Sequence, residues 1–483
     1  MTNLERIGAV VDGQVVDHED YFAVLDPATG EQIALVGRCS PADVDAAVRA
    51  ARRAATEGPW PTMAPKDRAR ILRRLSDLIL EHRAEFADIE SRDTGKPISQ
   101  ARTDVDVAAR YFEFYAGAIE SLHGDSIPAI PGTLVYTLRE PLGVTAHIEP
   151  WNYPLQIGCR TLAPALAMGN CCVLKPAEEA PLSLLRLGSL ALEAGLPTGV
   201  LNVVTGIGAE AGAALASHPD IDHLSFTGSV EVGALVAAAA ARNVKPVALE
   251  LGGKSPNIVL ADADITSLIP VVARSVLQNA GQTCSAGSRL LVHRSVHDEV
   301  VDGIIERFAL VRLGRGTEDP DLGPLISRQQ LDQVEAAVQR GADTGTLRFG
   351  GRPAKVAGFE DGYFFEPTLI DDADPAGELA QSEIFGPVLV VSTFDTEDEA
   401  IQLANGTPYG LIAAVWTTDV ARAHRMASRL QCGQVYVNGY GAGGGVELPF
   451  GGVKKSGYGR EKGAEALLAF CQTKTVAVRF ATP

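Results

Sequence analysis

A cysteine set among small residues, Gly281-Gln282-Thr283-Cys284-Ser285-Ala286-Gly287, is the first place where chemistry is expected. Little side-chain bulk surrounds the sulfur, so a substrate carbon can approach it closely. Thiolate is the reactive form, and a free thiol is only a few per cent ionised near neutral pH unless its pKa falls or a base removes its proton. A candidate base stands 34 residues earlier. Glu250 follows the apolar run Pro246-Val247-Ala248-Leu249 and precedes Gly252-Gly253, the pattern of a strand end that opens into a cleft. An apolar surround raises the pKa of a carboxyl placed there, which suits a general base. Most cysteines and strand-end acids are structural, so the pair and its setting carry the argument rather than either residue.

The elements that must position these groups change character along the chain. To about residue 40, short apolar runs alternate with turns such as Val10-Val11-Asp12-Gly13, which reads as strands and hairpins. Ser40 followed by Pro41 is an N-cap with proline at the first helical position, and an Ala-rich helix runs on to Glu57. Ile71, Leu72, Leu75, Leu78, Ile79 and Leu80 recur at helical spacing, predicting one amphipathic helix over 65–93. A further helix is expected over 105–122, its Tyr111, Phe112, Phe114 and Tyr115 packing into a core. After a Gly- and Pro-punctuated excursion, the chain from Val144 to Glu250 alternates short strands and helices: 144–148, 171–174, 199–204, 221–226 and 246–249. That is a doubly wound α/β pattern, in which ligands bind at the C-terminal ends of the strands. A second such unit follows to about Val446, with strands expected at 256–260, 289–292, 388–394, 411–416 and 434–438.

No Gly-x-Gly-x-x-Gly follows the first strand of the first unit. Thr205-Gly206-Ile207-Gly208 is a fragment that on spacing alone reads as a turn. Thr227-Gly228-Ser229 is the better phosphate candidate, since it follows a strand and opens a helix, where free N–H groups and the helix dipole favour an anion.

Composition narrows the classes. At 483 residues, with 46% hydrophobic and 21% charged residues, the chain is globular and long enough for two or three domains at roughly 150 residues each. A formal net charge of −18 disfavours nucleic acid and anionic membrane as partners. The sequence has no apolar run near the roughly 20 residues of a membrane span and no basic-then-apolar start, so a cytoplasmic protein is expected. Seven scattered cysteines, with no Cys-x-x-Cys, suit free thiols in a reducing compartment. The nine histidines show no ligand spacing, and no metal is expected.

Motifs in register along nearly the whole chain identify a family. Glu250-Leu251-Gly252-Gly253-Lys254 and Gly281-Gln282-Thr283-Cys284 occur together with Pro150-Trp151-Asn152-Tyr153-Pro154, Lys175-Pro176-Ala177-Glu178, Phe226-Thr227-Gly228-Ser229, Glu383-Ile384-Phe385-Gly386-Pro387 and Pro449-Phe450-Gly451-Gly452-Val453-Lys454. In this the chain resembles the NAD(P)-dependent aldehyde dehydrogenases, of the hydrolytic branch that does not acylate coenzyme A, since that other branch is associated with loss of the acid at Glu250. The resemblance implies two doubly wound parallel-sheet domains and a small β oligomerisation arm. The NAD-binding domain would take 1–122 and 143–250, the catalytic domain 251–460, and the arm 123–142 and 461–483, in a homodimer or homotetramer. Both arm segments are β-branched, and their unpaired edges favour pairing.

The same resemblance assigns roles. Cys284 attacks the aldehyde, and Asn152 with the Cys284 backbone N–H forms the oxyanion hole. Glu250 activates the hydrolytic water, and Glu461 matches a proton-relaying glutamate whose partner lysine is replaced here by Thr161. NAD would be held by Ile148, Trp151, Lys175, Glu178, Gly208, Phe226, Gly228, Ser229, Leu251, Glu383 and Phe385. A carboxylate at Glu178 accepts hydrogen bonds from ribose hydroxyls and repels a 2′-phosphate, which favours NAD over NADP. The substrate pocket would be lined by Tyr153, Gln156, Ile157, Arg160, Thr283, Ser285, Gly444 and Phe450. Trp151-Asn152-Tyr153-Pro154-Leu155-Gln156-Ile157 is similar to betaine-aldehyde and aminoaldehyde enzymes, whose aromatic pockets take cations. Arg160 departs from them and resembles the succinic semialdehyde branch, where arginine holds a carboxylate. That branch has a second arginine where Gln278 stands, and an Arg160 paired with an acid at the subunit surface is the alternative. A catalytically silent scaffold is weighed against these readings, as is a thiol hydrolase, which would need neither Lys175 nor Glu383.

Overall fold

The computed structural model describes residues 5–341, 344–441 and 445–480. Its first large sheet is built on five parallel strands that are buried along nearly their whole length, as strands covered on both faces are. In space their order is Val247–Glu250, His223–Thr227, Val144–Ile148, Cys171–Lys175, Leu201–Val203. Register aligns their ends: Ile148 lies beside Lys175 and beside Phe226, and Thr227 lies beside Glu250. Four of the motif-bearing positions therefore stand in a row along one edge of the sheet.

The N-terminal hairpin extends this sheet. Ala9–Val11 and Gln14–Val16 pair antiparallel across Asp12-Gly13, whose φ angles of 51° and 78° match the tight turn that favours such a dipeptide. Ser40 caps the helix Pro41–Thr56 through a reciprocal bond with Asp43. The expected single helix over 65–93 is two, Pro65–Glu81 and Arg83–Thr94. His82 breaks it at φ −97° and ψ 20°, and a turn there directs Phe86 and Ala87 into the same core that Leu72, Leu75 and Ile79 enter from the first helix. Tyr111, Phe112 and Tyr115 of helix Ile98–Ala118 are fully buried in that core, and Phe114 lies at its margin.

The second sheet contains parallel strands Pro256–Val259, Arg289–His293, Val388–Phe394, Ile412–Trp416 and Gln434–Val437, matching the sequence reading, and two more. Thr368–Asp371 is buried and parallel, and Thr346–Phe349 closes the edge antiparallel. These two were not evident because each has four residues and the second has an exposed face.

The sequence boundaries at 251–460 and 461–483 differ from the path of the chain. After the second sheet it returns to the first: Gly457–Tyr458 pairs antiparallel with Val247–Glu250. Val446, Ala466, Leu467 and Phe470 bury themselves in the first core. The ribbon is confined to Cys471–Arg479 paired antiparallel with Thr133–Pro141, from Cys471 opposite Pro141 to Arg479 opposite Thr133. Apolar burial holds 461–470 where it is, so Glu461 sits inside the molecule rather than on an arm. Among the described residues no helix is long and apolar enough to cross a membrane.

Candidate active site

Cys284 follows a turn that L-residues resist. Asn279, Ala280 and Gly281 have φ of 49°, 54° and 75°, three left-handed residues in succession. Each non-glycine residue there costs roughly 1–2 kcal/mol. The third must be glycine, because a Cβ on Gly281 would collide with the backbone of Gly386. Gln282 offsets the strain: its Nε2 donates to the Asn279 carbonyl at 3.0 Å, and its Oε1 accepts from the Ile326 N–H at 2.9 Å. The turn thus presents Cys284, half-buried, against the cluster of Leu411, Ile412 and Phe450.

Asn152, just before helix Pro154–Ala167, faces the same turn. Its Nδ2 donates to the Gln282 carbonyl at 3.0 Å, and Asn279 Nδ2 donates to its carbonyl at 2.9 Å. One of the two Nδ2 protons is thereby used, and among the described residues the other has no partner. Tyr153 hydrogen-bonds through its hydroxyl to Thr283 Oγ1 at 2.9 Å, and Tyr440 donates to the Ser285 carbonyl at 2.8 Å.

Glu250 is buried, and among the described residues neither of its carboxyl oxygens has a hydrogen-bond partner. Burial, then the neighbouring Glu461, pushes its pKa well above the ordinary carboxylate range, against a smaller pull from Arg160, Arg460 and Lys462. Burial also pushes the Cys284 thiol up to about 12, with Arg160 pulling the other way. Unpaired buried polar atoms are rare in folded proteins and mark groups reserved for something other than stability.

Thr161 and Arg160 engage different acids. Thr161 donates to Glu149 Oε1 at 2.6 Å. Arg160, in place of the missing lysine, pairs with Glu461: Nε approaches Oε2 to 2.5 Å, though the N–H is not aimed at the oxygen, so the pair is ionic more than hydrogen-bonded. Both residues are buried, so Arg160 meets an acid in the interior and not at a subunit surface. Ser225 donates to Glu461 Oε1 at 3.2 Å, and the Arg160 guanidinium lies 5.2 Å from the Phe450 ring centre. Lys462, which the sequence reading passed over, has its Nζ 5.2 Å from the centre of the same Phe450 ring. Its position directly after Glu461 was the only signal that could have found it.

The expected cofactor residues gather at the strand ends. Lys175 donates to the Pro176 carbonyl at 2.8 Å and lies 3.4 Å from Glu178, whose other oxygen accepts from the Gly208 N–H at 3.1 Å. Ser229 caps helix Val230–Ala241 by accepting from Val232 N–H, and Gly228 N–H donates to the Glu250 carbonyl. Leu251 is packed against Gly233. From the second sheet come Glu383, which accepts from Gly253 N–H at 3.1 Å, and Phe385, whose ring meets Trp151 edge-on at 5.3 Å. Gly252 lets Glu383 approach, since a Cβ there would collide with the carboxyl. Burial raises the Glu383 pKa to about 7.

A cavity of about 870 Å³ leads to Cys284 and is bordered by Tyr153, Gln156, Ile157, Arg160, Thr283, Ser285 and Phe450. Gly444, expected in this lining, falls outside the described residues.

Comparison with known proteins agrees with this arrangement. The model of the Aldehyde dehydrogenase family matches residues 15–476. The chain is 44% identical over 459 residues to the NADP/NAD-dependent aldehyde dehydrogenase PuuC of Escherichia coli (strain K12), covering 94% of this chain and 92% of that protein. It is 40% identical to the betaine aldehyde dehydrogenase of Bacillus subtilis (strain 168), covering 96% of each. The NAD+ complex of an aldehyde dehydrogenase from Bacillus cereus superposes with a TM-score of 0.96 at 41% identity, covering 99% of this chain and 97% of that one. With a family model matched over residues 15–476 and relatives at 40% identity or more over nearly their whole length, the chain belongs to the aldehyde dehydrogenase family.

Proposed function

We propose that this protein oxidises an aldehyde to the free carboxylic acid with NAD as acceptor. The observation that carries the reading is Glu250, buried with two unpartnered oxygens and close enough to Cys284 for their charges to interact. Glu250 takes the thiol proton, and Cys284 Sγ adds to the aldehyde carbon. The second Nδ2 proton of Asn152 and the Cys284 N–H receive the resulting oxyanion, a contribution worth roughly 10²–10³ in rate for one such donor. When bound, NAD supplies the hydride acceptor. After Glu250 has passed the thiol proton on to solvent, it accepts a proton from the water that cleaves the thioester left on Cys284, releasing the acid and the thiolate. Glu461, paired with Arg160 beside Glu250, provides a further station for that proton.

The residues present fit a dinucleotide. Lys175 and Glu178 sit together where adenosine ribose hydroxyls would be met, and the carboxylate there favours NAD over NADP. The first turn of helix Val230–Ala241, capped by Ser229, offers N–H groups to a pyrophosphate. Glu383 and Phe385 reach across from the second sheet to the nicotinamide side. The relatives named for NAD, or for both NADP and NAD, support the same reading.

The ribbon supports a homodimer or homotetramer. A two-stranded ribbon is marginal alone in water, and this one exposes Leu134, Leu138, Val478 and Phe480, an apolar face for another copy to cover. All seven cysteines are free, which supports a reducing, cytoplasmic setting.

The test is stoichiometric. Purified protein given NAD and an aldehyde should release equal amounts of NADH and free acid, and Cys284→Ala should release neither. NADH without acid, or acid without NADH, would overturn the reading.

A further inference from the structure

We infer that Glu149 is a proton station of this reaction, taking the proton that Glu250 and Glu461 shed and passing it towards solvent. This rests on the proposed aldehyde oxidation, in which Glu250 must lose the thiol proton before it can accept one from water.

Glu250 and Glu461 are each 3% exposed, so a proton leaving them needs a further group to receive it. Glu149 is the buried carboxyl next in line. Adjacent residues of helix Pro154–Ala167 hold the two acids: Arg160 Nε lies 2.5 Å from Glu461 Oε2, and the Thr161 hydroxyl donates to Glu149 Oε1 at 2.6 Å. The sheet aligns the row as well. Thr227 lies beside Glu250, and Phe226 beside Ile148, so Glu149, Thr227 and Glu250 stand at one level on three neighbouring strand ends. Strands about 4.8 Å apart put roughly 10 Å between the Glu149 and Glu250 backbones. Side chains at one level of a parallel sheet share a face. Here it is the face under the helix, since Arg160 Nη2 donates to Thr227 Oγ1 at 3.4 Å. One strand further on, the chain leaves the sheet at Lys175, and the Glu178 side chain is already 30% exposed, so the row runs from Glu250 towards solvent.

A purely structural role leaves much of Glu149 unexplained. Its Oε2 is buried with no hydrogen-bond partner among the described residues, and an amide could accept the Thr161 bond without the cost of a buried acid. The titratable groups around it are Glu461, from the returning segment, and Arg160 and Cys159, from the helix. Burial, then the charge of Glu461, lifts the Glu149 pKa to about 8, against the Thr161 bond and Arg160. A carboxyl that titrates near neutrality can both take a proton and give it up.

The experiment is a single turnover of butanal and NAD on excess enzyme, with NADH followed by absorbance, protons by a pH indicator and acid in quenched samples. Glu149→Gln keeps the side-chain volume and the acceptor for Thr161, so it should form NADH at the wild-type rate and bind NAD with the wild-type Kd. Proton release and acid formation should lag by about tenfold, less than the 10²–10⁴ of a group that meets the reacting atoms. Glu149→Asp, which keeps a carboxyl, should recover part of that loss. Thr161→Val removes a bond that lowers the Glu149 pKa, so the ascending limb of acid formation should move to higher pH. Protons and acid that keep the wild-type rate in Glu149→Gln, or NADH formation and NAD binding that fall in proportion with them, overturn the inference while aldehyde oxidation stands. So does a pH limb that Thr161→Val leaves in place. If no aldehyde yields NADH, the proposed oxidation fails and takes this inference with it.

Discussion

Two buried charge clusters flank helix Pro154–Ala167, and they are built on opposite terms. At its N-terminal end, Lys96 Nζ lies 2.7 Å from Asp104 and 3.5 Å from Glu90, and 4.2 Å above the Tyr153 ring. Glu90 accepts in addition from Leu155 N–H and from the Ser183 hydroxyl. Along the helix at Arg160, Glu461 is paired but Glu250 has no partner for either oxygen, and the Arg160 Nε and Glu461 Oε2 lack aligned bonds. The first cluster is satisfied, the second is not. A buried ion cluster with its hydrogen bonds complete fixes geometry, here that of the helix start that carries Asn152 and Tyr153. A buried carboxyl left without partners destabilises the fold and is retained for its reactivity.

The sharpest way to break that contrast is to measure activity and stability together. Glu250→Gln should lower turnover by about 10²–10⁴-fold, slowing the NADH burst of acylation as well as the release of acid, since Glu250 serves both proton transfers. It exchanges one unpartnered polar head for another, so the melting temperature should move by no more than about 4 °C. Lys96→Met should do the reverse. It strands Glu90 and Asp104 as unpaired buried acids, and calorimetry should show a loss of about 3–5 kcal/mol. If Glu250→Gln unfolded the protein and Lys96→Met left its stability intact, the division into a reactive and a supporting cluster would be wrong.

The pH profile sharpens the contrast further. Glu250 must be ionised to accept a proton, and its pKa is raised, so the hydrolytic step should quicken as pH rises through that pKa. Glu461 is the largest charge raising it after burial itself. Glu461→Gln removes that like charge and frees Arg160 to stabilise the Glu250 carboxylate. The ascending limb should therefore move to lower pH, whereas Asp104→Asn in the satisfied cluster should leave it where it is.

How much of this could be read in the sequence follows from the range of the interactions. The parallel strands were legible because burial on both faces favours apolar runs, as in Val388–Val391 and Ile412–Trp416. Cys284, Asn152, Glu250 and Glu383 were legible because local glycine and proline patterns mark the turns that present them. What failed was pairing between distant segments. Nothing near Arg160 announces Glu461, which arrives only because Ala466, Leu467 and Phe470 draw the chain back into the first core. The break at His82 was hidden because the apolar period continues through it, and the left-handed Asn279 and Ala280 because neither residue type requires that conformation. Lys462 was passed over since a single lysine on a loop is ordinarily solvated.

The smallest expected effect tests the link between the clusters. Tyr153 lies over Lys96 with its ring and reaches Thr283, beside the nucleophile, with its hydroxyl. Tyr153→Phe keeps the ring in place over the ammonium and removes only the bond to Thr283. Stability should fall by about 0.5–1.5 kcal/mol, as for one neutral hydrogen bond, and kcat should fall by less than tenfold, because the Gln282 side chain still holds the cysteine turn. Thr283→Val breaks the same bond from the other side, so if the hydroxyl serves only that contact, the double variant should cost no more than either single one. A kcat loss of a hundredfold or more in Tyr153→Phe alone would instead place the phenol among the groups that touch the reacting atoms, and the satisfied cluster would then be steering chemistry rather than supporting it.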